Sequence, residues 1–322
     1  MGRILVTGGA GFIGFHLTKR LLELDYEVVA IDNLNDYYDV ELKISRLSEI
    51  EKIDTSNYQF YKIDLNDKTK LAEIFTSQDI DCVVNLAAQA GVRYAKKNPD
   101  TYIESNVDGF YNVLRECQKN NIDKIIYASS SSVYGANDKL PFSENDAVNT
   151  PMSIYAATKK TNEDLASGFF YSYGMRTIGL RFFNIYGPYG RPDMAYFGWT
   201  DKIVNNQEVE LRDNGEMWRD MTYVDDCIEC VVRLISDSSA SQRPEVYNIG
   251  NRDPVKIKDM LDTIVAELGK EPTINYRPKG SEEPTRTWAD TTNIKKLINF
   301  EPNTDYKIGL RNFVNWYRGY YK

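Results

Sequence analysis

Short apolar, β-branched runs alternate along this chain with longer segments whose apolar positions recur every three or four residues. The runs Arg3–Thr7, Glu27–Ile31, Tyr58–Ile63, Cys82–Leu86, Lys124–Ser129 and Arg176–Phe183 predict strands. Several are apolar at almost every position, as strands covered on both faces must be. Between them, Phe12–Leu24, Lys68–Thr76, Thr101–Asn120 and Ile154–Tyr173 predict helices. The βαβ alternation predicts an α/β protein built on a doubly wound parallel sheet.

The alternation stops after Phe183. Residues 184–222 are rich in Gly, Pro, Asn and aromatics, with weak periodicity. Glu245–Ile249 has the character of a strand able to rejoin the sheet, and Ile257–Leu268, Thr291–Ile298 and Lys307–Arg318 predict helices. The expected division is a nucleotide-binding domain over 1–183 and a smaller, loop-rich, substrate-binding lobe over 184–322.

Composition narrows the functions open to such a fold. Acidic residues outnumber basic ones, 47 to 39 in 322. That excess argues against a nucleic-acid or anionic-membrane partner, because phosphate contacts need clustered Lys and Arg. With His16 the one histidine, a His-based zinc site or a Ser-His-Asp triad is not expected, and no metal is assigned. Four cysteines are too few and scattered for a disulfide framework. Cys227 and Cys230 fall one turn apart on an amphipathic stretch and read as core. No run of about 18 apolar residues occurs. Met1 is followed almost at once by a strand and a glycine loop, which leaves no space for a signal peptide. A reducing cytoplasm is the expected compartment.

The first strand runs into Thr7-Gly8-Gly9-Ala10-Gly11-Phe12-Ile13-Gly14. Glycines allow a tight turn and a close approach of pyrophosphate to the backbone, and the helix opening at Phe12 aims its free N–H groups at that anion. Strand, glycine loop and helix in this order are the context a Rossmann-type dinucleotide site requires. Both Gly9/Gly11/Gly14 and Gly8/Gly11/Gly14 fit its spacing. Asp32 ends the second strand, 21 residues after Gly11. A carboxylate there bonds the adenosine ribose hydroxyls and repels a 2′-phosphate, which favours NAD over NADP. Asp64, at the end of the third strand, is a candidate for the adenine amino group, a plain turn aspartate being the alternative.

Tyr155 and Lys159 stand four apart in a predicted helix and share a face. A free tyrosine titrates near 10, so a base at pH 7 needs about 4 kcal/mol of preference for the phenolate. Lys159 and a positive nicotinamide ring supply it in this reading. The run Ser129-Ser130-Ser131-Ser132-Val133-Tyr134-Gly135 ends the fifth strand, where open α/β sheets bind substrates.

Together these motifs resemble the extended short-chain dehydrogenase/reductase family, in particular its nucleotide-sugar epimerases and dehydratases. The resemblance covers essentially the whole chain. It also rests on Asn85-Leu86-Ala87-Ala88, on Arg181-Phe182-Phe183-Asn184-Ile185-Tyr186-Gly187-Pro188, and on Arg219-Asp220 before Tyr223-Val224-Asp225-Asp226. It implies a bound NAD held by Gly8, Gly11, Phe12, Ile13, Gly14, Asp32, Asn33, Asp64, Leu65, Leu86, Ala87, Ala88, position 105 (Ser105), Tyr155 and Lys159. It implies a UDP-sugar held by Arg93, Ser130, Ser131, Ser132, Tyr155, Asn184, Arg191, Arg219 and Arg277, with Arg286 the rival to Arg277. Tyr155 takes the proton of the sugar O4 hydroxyl, Ser130 or Ser132 assists, and the 4-keto sugar turns before reduction on its other face.

The family's 4,6-dehydratases carry an Asp-Glu pair after the catalytic Ser or Thr. Ser131 and Ser132 stand there, which points to epimerisation. The segments Asp32–Asp39, Ala88–Tyr94 and Gly187–Ala195 are similar to the UDP-glucuronate 4-epimerases, although Asn184 replaces that group's usual Thr. Arg191, with Arg93 as second candidate, is the expected clamp for the sugar carboxylate, the alternative being a loop arginine paired with Asp193. The rival readings are epimerases of UDP-glucose or UDP-N-acetylglucosamine, a UDP-glucuronate decarboxylase, and a dinucleotide-sensing binding protein. By analogy with the family, the chain forms a homodimer through helices 101–120 and 154–173.

Overall fold

A computed structural model describes residues 2–53, 56–239, 241–280 and 284–321. The chain forms two compact units: residues 1–137, 144–182 and 231–247 make the first, and residues 138–143, 183–230 and 248–322 the second.

The first unit is built on strands β1 (Arg3–Thr7), β2 (Glu27–Asp32), β3 (Tyr58–Lys62), β4 (Cys82–Asn85), β5 (Lys124–Ser130) and β6 (Arg176–Phe182). With the strand over Glu245–Ile249 they form one seven-stranded sheet. Read from one edge its order is β3-β2-β1-β4-β5-β6 and then 245–249. The pairings among β1 to β6 are all parallel. Residues in β1 and β4 are at most a few per cent exposed except at the chain start, which explains their unbroken apolar run. The order reverses between β1 and β4, the switch point where open sheets take ligands.

Helices α1 (Phe12–Glu23), α2 (Val40–Ile50), α3 (Lys68–Ser77), α4 (Pro99–Tyr102), α5 (Gly109–Lys119) and α6 (Ile154–Tyr173) connect these strands. Two of them differ from the periodicity. Helix α2 is absent from the sequence expectation because two of its buried positions are the basic Lys43 and Arg46. The single helix expected over 101–120 is interrupted by a π-helical turn at Ile103–Asp108. Such insertions are frequent at functional sites.

The stretch expected to be irregular is more ordered than its composition suggests. It holds β7 (Asn184–Tyr186), α7 (Ala195–Val204), β8 (Val209–Arg212) and β9 (Trp218–Tyr223); α8 (Val224–Ser236) follows, on the amphipathic stretch expected around Cys227 and Cys230. Counting Glu245–Ile249 as β10, the remaining elements are β11 (Pro254–Lys256), α9 (Ile257–Leu268), β12 (Ile274–Arg277), β13 (Arg286–Thr287), α10 (Thr292–Ile298) and α11 (Tyr306–Tyr320). In the second unit β9 pairs with β7, β11 and β13, while β8 and β12 form a separate ribbon. These strands are too short for a period to show. All four cysteines are buried free thiols, Cys227 and Cys230 along α8. No helix among the described residues is long and apolar enough to cross a membrane.

Candidate active site

The glycine loop leaves β1 at the switch point. Gly8 takes φ +71°, a conformation only glycine adopts cheaply, and its carbonyl accepts from Gly11 N–H at 2.9 Å. A Cβ on Gly14 would lie 2.1 Å from that same carbonyl oxygen. The two positions therefore need glycine for different reasons, one for dihedral angle and one for space. Gly9 N–H reaches Ile31 O at 3.0 Å, and Ala10 N–H reaches an Asp32 carboxylate oxygen at 3.2 Å. The loop is thus tied to the end of β2. On its other side, Thr7 Oγ1 donates to Asn85 Oδ1 at 2.8 Å and accepts from Ala87 N–H at 3.2 Å, fixing the Leu86–Ala88 segment against β1.

Asp32 is 8% exposed. Its other oxygen accepts from Leu34 N–H at 2.8 Å, so each oxygen carries one backbone donor and keeps a second lone pair. Asn33 Nδ2 donates to the exposed Asp64 at 2.8 Å, which brings two expected adenosine-side residues together. Leu65 is buried beside them. Local sequence offered no Lys or Arg near Asp32, but the fold delivers two from α2. Lys43 Nζ bonds Asn35 O and Oδ1 at 2.8 and 2.9 Å, and burial lowers its pKa against the pull of Asp32. Arg46 Nη1 donates to Ala10 O at 2.8 Å and to Tyr38 Oη at 2.7 Å. A pattern of buried positions at 42, 43, 46 and 50 was the available signal, masked by the charges.

At the end of β5, Ser130 is extended and its Oγ accepts from Ser132 N–H at 3.1 Å, capping the turn Ser131–Tyr134. Ser131 and Ser132 are half-buried, Ser130 buried. Beneath them, Ser129 Oγ donates to Glu163 at 2.6 Å, Arg181 grips both Glu163 oxygens at 2.8 Å, and Arg181 Nη1 donates to Tyr134 Oη at 3.1 Å. Arg181 and Glu163 side chains are 4% and 8% exposed. The Val-Tyr-Gly and Arg-Phe-Phe-Asn motifs therefore meet in one buried clamp under the serine turn.

Helix α6 starts at the Ser153 cap, whose Oγ accepts from Ala156 N–H at 3.1 Å. Tyr155 lies in its first turn, half-buried, with Tyr102 edge-on at 6.1 Å. Lys159 is 2% exposed and donates to Ala128 O at 2.8 Å. Burial brings its pKa down to about 7. Position 105 requires a correction: Ser105 is only half-buried, and the asparagine turned inward by the π turn is the next residue, Asn106. Asn106 Oδ1 accepts from Gln89 N–H at 2.7 Å, and its Nδ2 donates to Gln89 O at 3.0 Å and Thr158 Oγ1 at 3.1 Å. It stitches the segment after β4 to the helix carrying Tyr155 and Lys159. Arg93 is exposed, at the head of a short turn in this unit.

The second unit holds the other candidates. Asn184 begins β7, half-buried. Arg219, on β9, donates to Trp218 O at 2.9 Å. The neighbouring Asp220 is fully buried and accepts from the N–H groups of Asn251, Arg252 and Ala289 at 2.6, 3.1 and 3.0 Å, so it clasps the lobe together and is not a surface partner for Arg219. Arg277 is exposed at the end of β12 on the separate ribbon. Arg286 opens β13, in register with Trp218. Arg191 forks onto Asp193 through two bonds of 3.0 and 2.9 Å.

A glycine cradle that no Cβ could share, at the switch point of this sheet and beside the buried Asp32 carboxylate, is that of a doubly wound, NAD-dependent enzyme. The chain belongs to the NAD dependent epimerase/dehydratase family, whose model matches residues 4–250. It is 45% identical to Protein CapI of Staphylococcus aureus, covering 99% of both chains. It is 39% identical to UDP-glucuronate 4-epimerase 2 of Arabidopsis thaliana over 99% of this chain and 76% of that one. The crystal structure of UDP-glucuronic acid 4-epimerase from Bacillus cereus, in complex with UDP-glucuronic acid and NAD, superposes with a TM-score of 0.92 at 32% identity, covering 98% and 99% of the two chains.

Proposed function

We propose that this protein interconverts UDP-glucuronate and UDP-galacturonate by NAD-dependent epimerisation at C4. The observation that carries the reading is the Tyr155/Lys159 pair on α6 beside the serine turn, with Ser131 and Ser132 where a dehydratase has its acid and base; Arg191, which pairs with Asp193 in this structure, is the candidate that would exchange or share that partner with the uronate carboxylate. The family match and the relatives named for this reaction support it.

The glycine loop, Asp32, Asn33 and the Leu86–Ala88 segment hold NAD, which supplies when bound a hydride acceptor for C4 and its donor for the return. Tyr155 removes the proton from the O4 hydroxyl as C4 becomes a ketone, and returns it when the alcohol is restored. Lys159, one turn from Tyr155, favours the phenolate while it is protonated; burial lowers its pKa to about 7, so this help fades as the pH rises above neutral. Ser130 or Ser132 donates to the sugar oxygen and steadies it. Ser131 and Ser132 hold no carboxyl group, so the chain has no acid and base there to expel O6. Asn184, Arg219 and one of Arg277 or Arg286 hold the diphosphate. Arg191 holds the uronate carboxylate by two parallel hydrogen bonds, with Arg93 the second candidate.

The chain works as a homodimer in the cytoplasm in this reading. Tyr111, Phe169 and Tyr173 form a continuous aromatic patch across α5 and α6, with ring centroids 6.1 and 5.2 Å apart, and Tyr111 and Tyr173 are exposed. The four free thiols suit a reducing compartment.

The test is to incubate the protein separately with UDP-glucuronate, UDP-glucose and UDP-N-acetylglucosamine and identify products by NMR. UDP-galacturonate from the first is expected, and its absence alongside turnover of a neutral sugar overturns the substrate assignment. A 4-keto-6-deoxy product overturns the reaction class. Arg191→Ala should raise KM for UDP-glucuronate by about tenfold to a hundredfold, the worth of a charged hydrogen-bond pair.

A further inference from the structure

We propose that Tyr189 is a positioning residue for sugar recognition: its ring, clamped by the C-terminal helix α11, holds Arg191 where it can take the substrate carboxylate. The inference rests on the uronate reading given above and adds to it a residue remote from the reacting atoms.

Tyr189 has φ +57°. A side chain in the left-handed region carries a steric cost that glycine avoids, and such outliers persist where the surroundings over-determine them. Glycines occupy positions 187 and 190 of the same loop. Position 189 keeps an aromatic ring despite the cost, and the ring has a specific berth. Its centroid lies 4.8 Å from Trp316 and 6.3 Å from Tyr320, both on α11. Trp316 is stacked on Tyr320 at 5.4 Å and 25°, so the berth is itself braced. The indole Nε1 of Trp316 is buried with no hydrogen-bond partner, so this side chain serves the loop as apolar surface.

From Tyr189 to Arg191 there is one residue. Gly190 is buried, and a Cβ on it would lie 1.9 Å from Tyr196 Oη, so its backbone rests directly on that side chain. Gly190 N–H donates to Gly187 O at 3.2 Å, and Met194 N–H to Arg191 O at 3.1 Å. The backbone of Arg191 is therefore fixed from both sides, and Asp193 steadies its fork through bonds of 3.0 and 2.9 Å. Those bonds use the Nε/Nη2 edge, so the substrate carboxylate is to be met by the Nη1/Nη2 end, and a guanidinium already ordered spends less entropy on binding it. The preference for an acidic sugar then depends on aromatic residues more than 120 positions downstream.

The experiment compares Tyr189→Gly, Tyr189→Phe and Arg191→Ala in the NAD-loaded protein, reading KM and kcat for UDP-glucuronate and the inhibition constant of UDP-glucose. Tyr189→Gly relieves the backbone and removes only the anchor. It should raise KM for UDP-glucuronate by about threefold to tenfold, the range for ordering one side chain on binding. The inhibition constant of UDP-glucose and kcat should stay within about twofold, and Tyr189→Phe should match the wild type. A Tyr189→Gly protein with unchanged KM, or with both constants raised in parallel, overturns the proposal. If Arg191→Ala raises KM selectively and Tyr189→Gly does not, the positioning role fails while the uronate reading stands. If Arg191→Ala itself shows no selectivity, both fall.

Discussion

Lys159 gives the sharpest physical test of this site. The ammonium is 2% exposed, has the Ala128 carbonyl as its hydrogen-bond acceptor, and has its pKa brought from 10.5 down to about 7 by burial. Because the folded value lies below the unfolded one, the unfolded chain holds a proton between about pH 7 and 10.5 that the folded chain has released. Stability therefore rises with pH across that window, and the cost of burying the charge is fully present below pH 7. The limiting slope is about 1.4 kcal/mol per pH unit, reached only once Lys159 is neutral in the fold, so the gain from pH 7 to 9 is about 2.5 kcal/mol. Lys159→Met removes the titrating group and keeps most of the apolar stem. Urea unfolding of nucleotide-free protein at pH 6, 7, 8 and 9 should show wild type gaining on the variant by about that amount between pH 7 and 9. Parallel stability curves for the two proteins would refute the argument and place the Lys159 proton elsewhere.

Three other outcomes follow from distances and burial. Gly14→Ala puts a methyl 2.1 Å from Gly8 O, so it should abolish NAD binding measured by calorimetry while leaving the circular dichroism spectrum of the sheet largely intact. Asp32→Ala should weaken NAD more than NADP, since the lost carboxylate repels a 2′-phosphate and the cations Lys43 and Arg46 remain on α2; equal losses would remove Asp32 from the ribose. Arg181→Met leaves Glu163 as a buried, unmatched charge and should cost about 3–5 kcal/mol in denaturant unfolding, with most of the loss recovered in Arg181→Met/Glu163→Leu.

What could be read from the sequence divides by the range of the interaction. The strands β1, β2, β4, β5 and β6 were legible because burial on both faces leaves nearly unbroken apolar runs, whereas β3, at the sheet edge and only partly covered, showed through its aromatic residues. The glycine loop, Asp32, the serine run and the Tyr155/Lys159 pair were legible because their chemistry is written within a few neighbouring residues. Helix α2 was hidden because Lys43 and Arg46, both buried, break its apolar face. The π turn was hidden too, since apolar periodicity gives no hint of a widened turn, and with it the inward placement of Asn106. The clamp of Glu163, Arg181, Ser129 and Tyr134 joins positions up to 52 apart; Ser129, Tyr134 and Arg181 stood in motifs, but their shared partner Glu163 shows only once the fold brings it inside. The short strands of the second unit pair with distant partners and have too few residues for alternation to register.

The order in which the two units share the chain has a consequence for biosynthesis. Strand β6 ends at Phe182, but β10, which covers its open edge, begins at Glu245. A ribosome adding roughly 5–20 residues per second needs about 3–12 s to make the intervening segment. During that interval the nascent sheet ends in an uncovered strand, Arg176-Thr177-Ile178-Gly179-Leu180-Arg181-Phe182, a template for pairing with another chain. Arg176 places charge at the start of that strand until its partners Asp237 and Glu245 are made, and so guards the growing polypeptide against aggregation before synthesis is complete.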